Sequence, residues 1–318
     1  MTQADLIDGI DARFRTADRL LFIIGSQKCG TSWLHRYFEG HPQVCLPAWK
    51  EHNYWNAVDG HPVDDFLKLR RRQLQGPNPV LRLARRVGLK PYKRPAKLAA
   101  VTRALAAQRN AGPPHSVYAD SIFEFRTPES RVFGEACPQY ALLHSDTYRQ
   151  MDRLGPVVRF VFVMRDPVAR MISGVKHSMR MAAKQSTFRR EDVVDAVLTS
   201  TRDPGSWGYQ MTRYDEMIAR LEAAVSPERI GYYFFEDLFD QAQIDQLCDF
   251  VGVPRHTADF EEKVNFDGRP QLTLTAEERV EVVATFRNVY ESVVDRFGDQ
   301  VPDAWHRSLE LLPEMAAS

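Results

Sequence analysis

The sequence has no uninterrupted apolar run longer than about six residues, far short of the ~20 that cross a bilayer as a helix. A helical membrane span is excluded on length alone. The opening stretch MTQADLIDGIDARF lacks the basic-then-apolar order of a secretory signal, so a soluble, cytoplasmic protein is expected. Cysteine is scarce: Cys29, Cys45, Cys137 and Cys248 stand far apart with no C-x-x-C pair. That spacing offers neither a zinc or dithiol motif nor a disulfide framework. His35, His41, His144 and His177 show no metal-ligand spacing either, and no metal is expected. Net charge is also missing, with 42 basic residues against 42 acidic ones, so no whole-molecule field selects a partner. Acidic residues are absent from one long stretch: Phe66 to Pro114 holds thirteen Lys and Arg and no Asp or Glu. Such a segment either attracts anions or is simply a solvated face.

What is present is a core-forming chain of 318 residues, 44% hydrophobic, enough for one large domain. Leu20 to Ile24 (LLFII) reads as a buried strand ending at Gly25, and Thr31 to Phe38 has helical character. A second strand–turn–helix unit follows the β-prone run VVRFVFVM at 157–164, with Arg165-Asp-Pro as the turn. Further strands are expected at Val117–Ile122, Arg131–Gly134 and Ile230–Phe235. Helices are expected at Gln139–Asp152, Arg189–Ser200, Tyr209–Ala224, Asp237–Val251 and Ala276–Phe297. Short apolar strands alternating with helices predict an α/β fold, a P-loop-like, doubly wound parallel sheet flanked by helices. The proline-interrupted stretch 66–114 breaks this rhythm and reads as a basic helical insertion within a single domain spanning 1–318.

The strongest local signal is Gly25-Ser-Gln-Lys28-Cys29-Gly30-Thr31-Ser32, directly between strand and helix. Glycines there allow a tight turn and close approach of backbone N–H groups to an anion, and the helix points its positive end at the same space. The spacing is similar to the ATP-binding loop G-x-x-x-x-G-K-[ST], except that Thr31 stands where that loop has its lysine. The loop's own cation, Lys28, sits mid-loop. A glycine-rich turn carrying a surface lysine is the alternative. Arg165 begins a second segment, Arg165-Asp-Pro-Val-Ala-Arg-Met-Ile-Ser173. It falls at a strand's carboxyl end, where ligands meet a doubly wound sheet, and a guanidinium with a hydroxyl can clamp a phosphate. Read in isolation, the segment favours Asp166-Pro167 as a helix start and Arg165 as a surface ion-pair partner.

Taken together, the two segments resemble the sulfotransferases that use 3′-phosphoadenosine 5′-phosphosulfate (PAPS). The first is similar to that family's K-x-G-T-[ST]-x-L loop, here Lys28-Cys-Gly30-Thr31-Ser32-Trp33-Leu34; the second completes R-[DN]-P-x-x-R-x-x-S. His41-Pro42 followed by Lys50-Glu51-His52-Asn53-Tyr54-Trp55 resembles the H-P…K-E-x-H-F-F stretch of glycan-type members. Gly134-Glu135-Ala136-Cys-Pro138-Gln-Tyr140 is similar to their (G)-E-K-[TS]-P-x-Y. Two departures concern the acceptor side: Asn53 replaces a histidine and Ala136 a lysine.

The resemblance implies transfer of a sulfuryl group from PAPS to a hydroxyl or amine, with adenosine 3′,5′-bisphosphate (PAP) as product and no metal. It places the 5′-phosphosulfate on the loop from Lys28 through Cys29, Gly30, Thr31 and Ser32 to Trp33. It places the 3′-phosphate on Arg165 and Ser173, with Arg269 as a weaker third contact. Lys28 would neutralise charge on the bridging oxygen, and Glu51 would take the acceptor's proton, with His52 as rival base. Strand-like alternation would send 51 and 52 to opposite faces. The basic 66–114 segment would suit an anionic glycan or a lipid-linked acceptor; no nucleic-acid partner is expected. A nucleotide kinase and a non-catalytic PAP-binding sensor are the rival readings. The first wants a lysine at position 31; the second has no use for Glu51.

Overall fold

The computed structural model describes residues 9–61, 68, 71, 93–183, 188–261 and 272–312. Arg269 and most of the basic stretch lie outside the described residues. Five strands form one parallel sheet: β1 (Arg19–Gly25), β2 (Val44–Cys45), β3 (Val132–Ala136), β4 (Val158–Met164) and β5 (Ile230–Phe234), in the order β2-β3-β1-β4-β5. Every pairing is parallel. β1 and β4 are buried on both faces because their apolar residues run on without polar alternation. Leu20, Phe22 and Ile24 of β1 enter one core together with Phe160 and Phe162 of β4. Leu21 and Ile23 enter the other with Val161 and Val163.

The second core is closed by helix α2 (Thr31–Glu39) and the late helix Gln241–Val251, through Leu34, Phe38, Leu247 and Val251. In chain order the remaining helices are α1 (Ala12–Thr16), α3 (Tyr54–Val58), α4 (Lys93–Arg109), α5 (Ser116–Ile122), α6 (Ser145–Asp152), α7 (Pro167–Ala183), α8 (Arg190–Arg202), α9 (Trp207–Gln210) and α10 (Tyr214–Glu222). After β5 come α11 (Gln241–Val251), α12 (Ala276–Thr285), α13 (Arg287–Phe297) and α14 (Asp303–Leu309). From β1 the chain moves toward β2 and β3, and from β4 toward β5. The reversal of strand order therefore falls between β1 and β4, where open α/β sheets bind ligands.

Several local expectations change. Val117–Ile122 is not a strand but helix α5. A short apolar run carries no decisive period, and here Tyr118 stacks on Tyr54 at 4.1 Å with 4° between ring planes. The expected helix 139–152 splits into a 3-10 turn (Pro138–Leu142) and α6, with Leu143 extended between them. That over 209–224 breaks at 211–213, and that over 276–297 at Phe286. In each case a tertiary contact overrides local propensity: Thr212 and Phe286, for example, are fully buried at the breaks.

Candidate active site

The loop between β1 and α2 is held from below, where the Ser26 N–H donates to the Val163 carbonyl at 2.7 Å and the Ser26 hydroxyl to the Met211 carbonyl at 2.8 Å. Lys28 and Gly30 both have left-handed backbones, φ 72° and 87°. Left-handed residues in a short turn make the concave run of N–H groups that binds anions. At Gly30 only glycine fits, since a Cβ would meet Leu238 Cδ2 at 2.7 Å and Phe235 Cδ2 at 3.2 Å. No side chain caps the start of α2, which leaves its first N–H groups to a ligand.

Arg165, one residue past β4, reaches this loop. Its Nη1 donates to the Lys28 carbonyl at 3.2 Å, and its guanidinium lies over the Phe235 ring at 4.2 Å. The turn carrying it is anchored by Asp166. The Asp166 Oδ1 accepts the Ala169 N–H at 2.9 Å, and Oδ2 accepts the hydroxyls of Tyr290 and Ser308 at 2.8 and 2.9 Å. Helices α13 and α14 thus fix a turn far away in sequence. Ser173 lies on α7, two turns beyond Arg165 and half-buried.

The third component is residues 50–53. They are not a strand: Glu51 and Asn53 are left-handed, φ 67° and 53°. Lys50 Nζ donates to Glu51 Oε1 at 2.7 Å and to the Thr31 hydroxyl at 3.3 Å, so this segment meets the phosphate loop. Glu51 keeps 29% of its side chain exposed. His52 points elsewhere, fully buried, with neither ring nitrogen hydrogen-bonded. Its backbone N–H donates to Glu135 Oε2 at 3.2 Å, its carbonyl accepts from Gln108 at 2.7 Å, and the Glu51 N–H donates to the Ala136 carbonyl at 3.1 Å.

Cations crowd this space. Burial, together with Arg180, Lys50 and Arg165, pulls the Lys28 ammonium down to about 8. Burial raises the Glu51 carboxyl, but the Lys50 ion pair, with help from His177 and Lys28, outweighs it and holds the carboxyl below its usual value. Burial pushes the Cys29 thiol up to about 11, so it stays protonated and fills space rather than reacting.

The model of the sulfotransferase family matches residues 21–257, which takes in the loop, Glu51, Arg165 and Ser173. The chain belongs to the sulfotransferase family. No curated protein matches it. Among solved structures, a sulfotransferase from Alicyclobacillus acidocaldarius superposes with a TM-score of 0.58 at 20% identity, covering 90% of this chain and 98% of its own. The likeness is of fold. The sulfotransferase domain of the Synechococcus PCC 7002 olefin synthase (TM-score 0.48, 15% identity, 86% of this chain and 95% of its own) is more distant. So is a retinol dehydratase solved with androsterone and the inactive cofactor PAP (TM-score 0.36, 15% identity, 95% and 73%).

In this sulfotransferase, several residues at the site carry no signal of their own in the sequence. Arg180 acts electrostatically on Lys28, and His177, one turn away on α7, acts on Glu51; an isolated histidine on a helix gives no such indication. Trp207 is 39% exposed, and its Nε1 donates to Gln27 Oε1 at 2.9 Å beside the loop. It lines a cavity of about 250 Å³ with Arg170, Ser178 and Ser200. Tyr209, two residues on, packs on Phe286.

Glu135 is the least expected member. Fully buried, it accepts the hydroxyls of Tyr118 and Tyr140, each at 2.6 Å, as well as the His52 N–H. It thereby fixes the left-handed segment that presents Glu51. Replacing Glu135 by Gln turns one acceptor into a donor facing the His52 N–H, and a buried mismatch of this kind costs about 1–3 kcal/mol. The Glu135→Gln protein is expected to unfold at lower temperature. Its turnover should fall with KM for the donor unchanged, because the phosphate loop does not depend on this contact.

Proposed function

We propose that this sulfotransferase moves a sulfuryl group from PAPS to a hydroxyl or amine and releases PAP. The observation that carries the reading is the direct contact between the two anion-binding segments, Arg165 Nη1 on the Lys28 carbonyl. A single nucleotide with phosphates at both ends can then be held by both. The residues fit such a ligand: the left-handed cradle at 28–30, the uncapped start of α2 and the cluster of Lys28, Lys50, Arg165 and Arg180 all call for anionic oxygens. The donor supplies an activated sulfuryl group on a phosphate leaving group.

In this reading the N–H groups from Lys28 to Ser32 hold the 5′-phosphate, and Lys28 stabilises charge that builds on its bridging oxygen. Arg165 and Ser173 hold the 3′-phosphate, and Trp33, at the start of α2, borders the nucleotide. Arg269 remains a third contact on the strength of the family resemblance alone. Glu51 takes the acceptor's proton. It is preferred to His52 because Glu51 is partly exposed beside Thr31 and Lys28, while His52 is enclosed behind it. Donor binding would engage Lys28 and Lys50 with anionic oxygens and so weaken their hold on Glu51, raising its basicity when a proton must be taken. A carbohydrate or glycolipid acceptor is favoured by the glycan-type Lys50-Glu51 pattern.

The test uses labelled PAPS with a panel of glycans, lipids, phenols and amines, and calorimetry with PAP and ATP. Label transfer to a glycan or lipid is expected, as is binding of PAP without Mg²⁺ and in preference to ATP. Arg165→Ala should weaken PAP about 10–100-fold, the value of hydrogen bonds to a charged group. Magnesium-dependent ATP binding that is tighter than PAP binding would sink the reading.

A further inference from the structure

Away from this site, the turn after α3 and the start of α6 bring together Asp59, His61 and His144. The His61 Nε2 and the His144 Nδ1 each lie 2.9 Å from the same oxygen, Asp59 Oδ2. One ligand atom from each residue falls within 4.8 Å of the others. The Asp59 side chain is only 2% exposed. Its other oxygen, Oδ1, accepts the Thr147 hydroxyl, the His144 backbone N–H lies 3.3 Å from both carboxylate oxygens, and Oδ2 faces the two rings. The His61 Nε2 is buried and, among the described residues, makes no hydrogen bond of good geometry, although it lies 2.9 Å from Oδ2. The two imidazoles lie parallel, 4° apart with centroids at 5.8 Å.

We propose that Asp59, His61 and His144 form a binding site for a divalent transition-metal cation. Two imidazole nitrogens and one carboxylate oxygen are the donors such ions prefer, whereas Ca²⁺ and Mg²⁺ call for oxygen throughout. Ligand atoms 2.9 Å apart subtend about 90° at an ion roughly 2.05 Å from each, and the remaining positions are left to water because His144 is 69% exposed. A cation at this point gives the Nε2 of His61 the partner it lacks. Thr147 and the His144 N–H act as the outer contacts that orient a ligating carboxylate. His144 joins Asp59 and His61 from a distant part of the chain, so no spacing in the sequence announces the set of three. The ion would tie the segment that follows the 50–53 turn to the first turn of α6, which makes it a structural clip outside the anion-binding site.

The experiment titrates the untagged, EDTA-treated full-length protein with Zn²⁺ by calorimetry and with Co²⁺ by visible absorption. One equivalent of Zn²⁺ is expected to bind, to raise the unfolding temperature, and to displace Co²⁺ along with its ligand-field bands. His144→Ala, on the exposed side of the cluster, should unfold like the wild-type apoprotein yet bind Zn²⁺ at least tenfold more weakly. His61→Ala should show the same loss. Absence of Zn²⁺ binding in the micromolar range would overturn the proposal. So would binding that both variants retain, because the ion would then sit elsewhere.

Discussion

Lys28→Met is expected to lower sulfuryl transfer about 10²–10³-fold, the usual effect of removing one group that stabilises charge in a transition state. Methionine keeps the length of the side chain and can adopt the same left-handed backbone as any other non-glycine residue, so the loop is retained. The loss should appear mainly in kcat, since the N–H cradle still binds phosphate. A pH profile gives a second, independent readout. In the free protein the Lys28 ammonium is pulled down to about 8 by burial and by Arg180, Lys50 and Arg165. Only the protonated form can neutralise charge on the bridging oxygen, so kcat/KM is full below pH 8 and falls as pH rises through it. Bound anionic donor opposes those cations and pushes Lys28 back up, so kcat should hold to higher pH. Lys28→Arg, whose charge persists across this range, should abolish the alkaline fall in kcat/KM. A profile unchanged by that substitution would remove Lys28 from the role.

Glu51→Gln should cost about 10²–10⁴-fold in turnover, the range for a positioned proton acceptor, while PAP binds as before. Glutamine keeps the shape of the side chain and can still accept from Lys50 Nζ, which in the resting protein lies 2.7 Å from Glu51 Oε1. Because Glu51 is held below its usual carboxylate value, it is ionised at neutral pH and loses its function only under acid conditions. The acid limb of kcat/KM, which reports the free protein, should therefore lie below the ordinary Glu value of about 4.3, and that of kcat, with the donor bound, should lie higher. His52→Ala separates the two candidate bases. With His52 buried and its ring nitrogens unpartnered, that variant should lose stability and little intrinsic turnover. If instead Glu51→Gln turns over normally, Glu51 is not the base.

How readable the chain is depends on how local each feature is. Gly25 to Ser32 and Arg165 to Ser173 each form a strand end, a turn and a helix start within a few residues, so backbone chemistry alone announces them. The runs LLFII and VVRFVFVM are apolar at every step or nearly so, which is the pattern of strands covered on both faces, and they became β1 and β4. Their adjacency is not local information. Nor is the contact from Arg165 to Lys28, which parallel pairing of β1 with β4 creates.

Where the sequence misled, a distant partner had decided the outcome. Val117–Ile122 could be strand or helix, and Tyr54, Glu135 and the wall of α4 made it a helix. Strand-like alternation at 51 and 52 gives way to a left-handed turn held by Ala136, Glu135 and Gln108. By itself the sequence determined two turns, each between the end of a buried strand and the start of a helix, because glycine, a helix start and apolar continuity act over a few residues. Only the tertiary structure decided that they meet, that Glu51 and not His52 faces them, and that Asp59, His61 and His144 converge. Each of these depends on contacts between segments that chain order does not bring together.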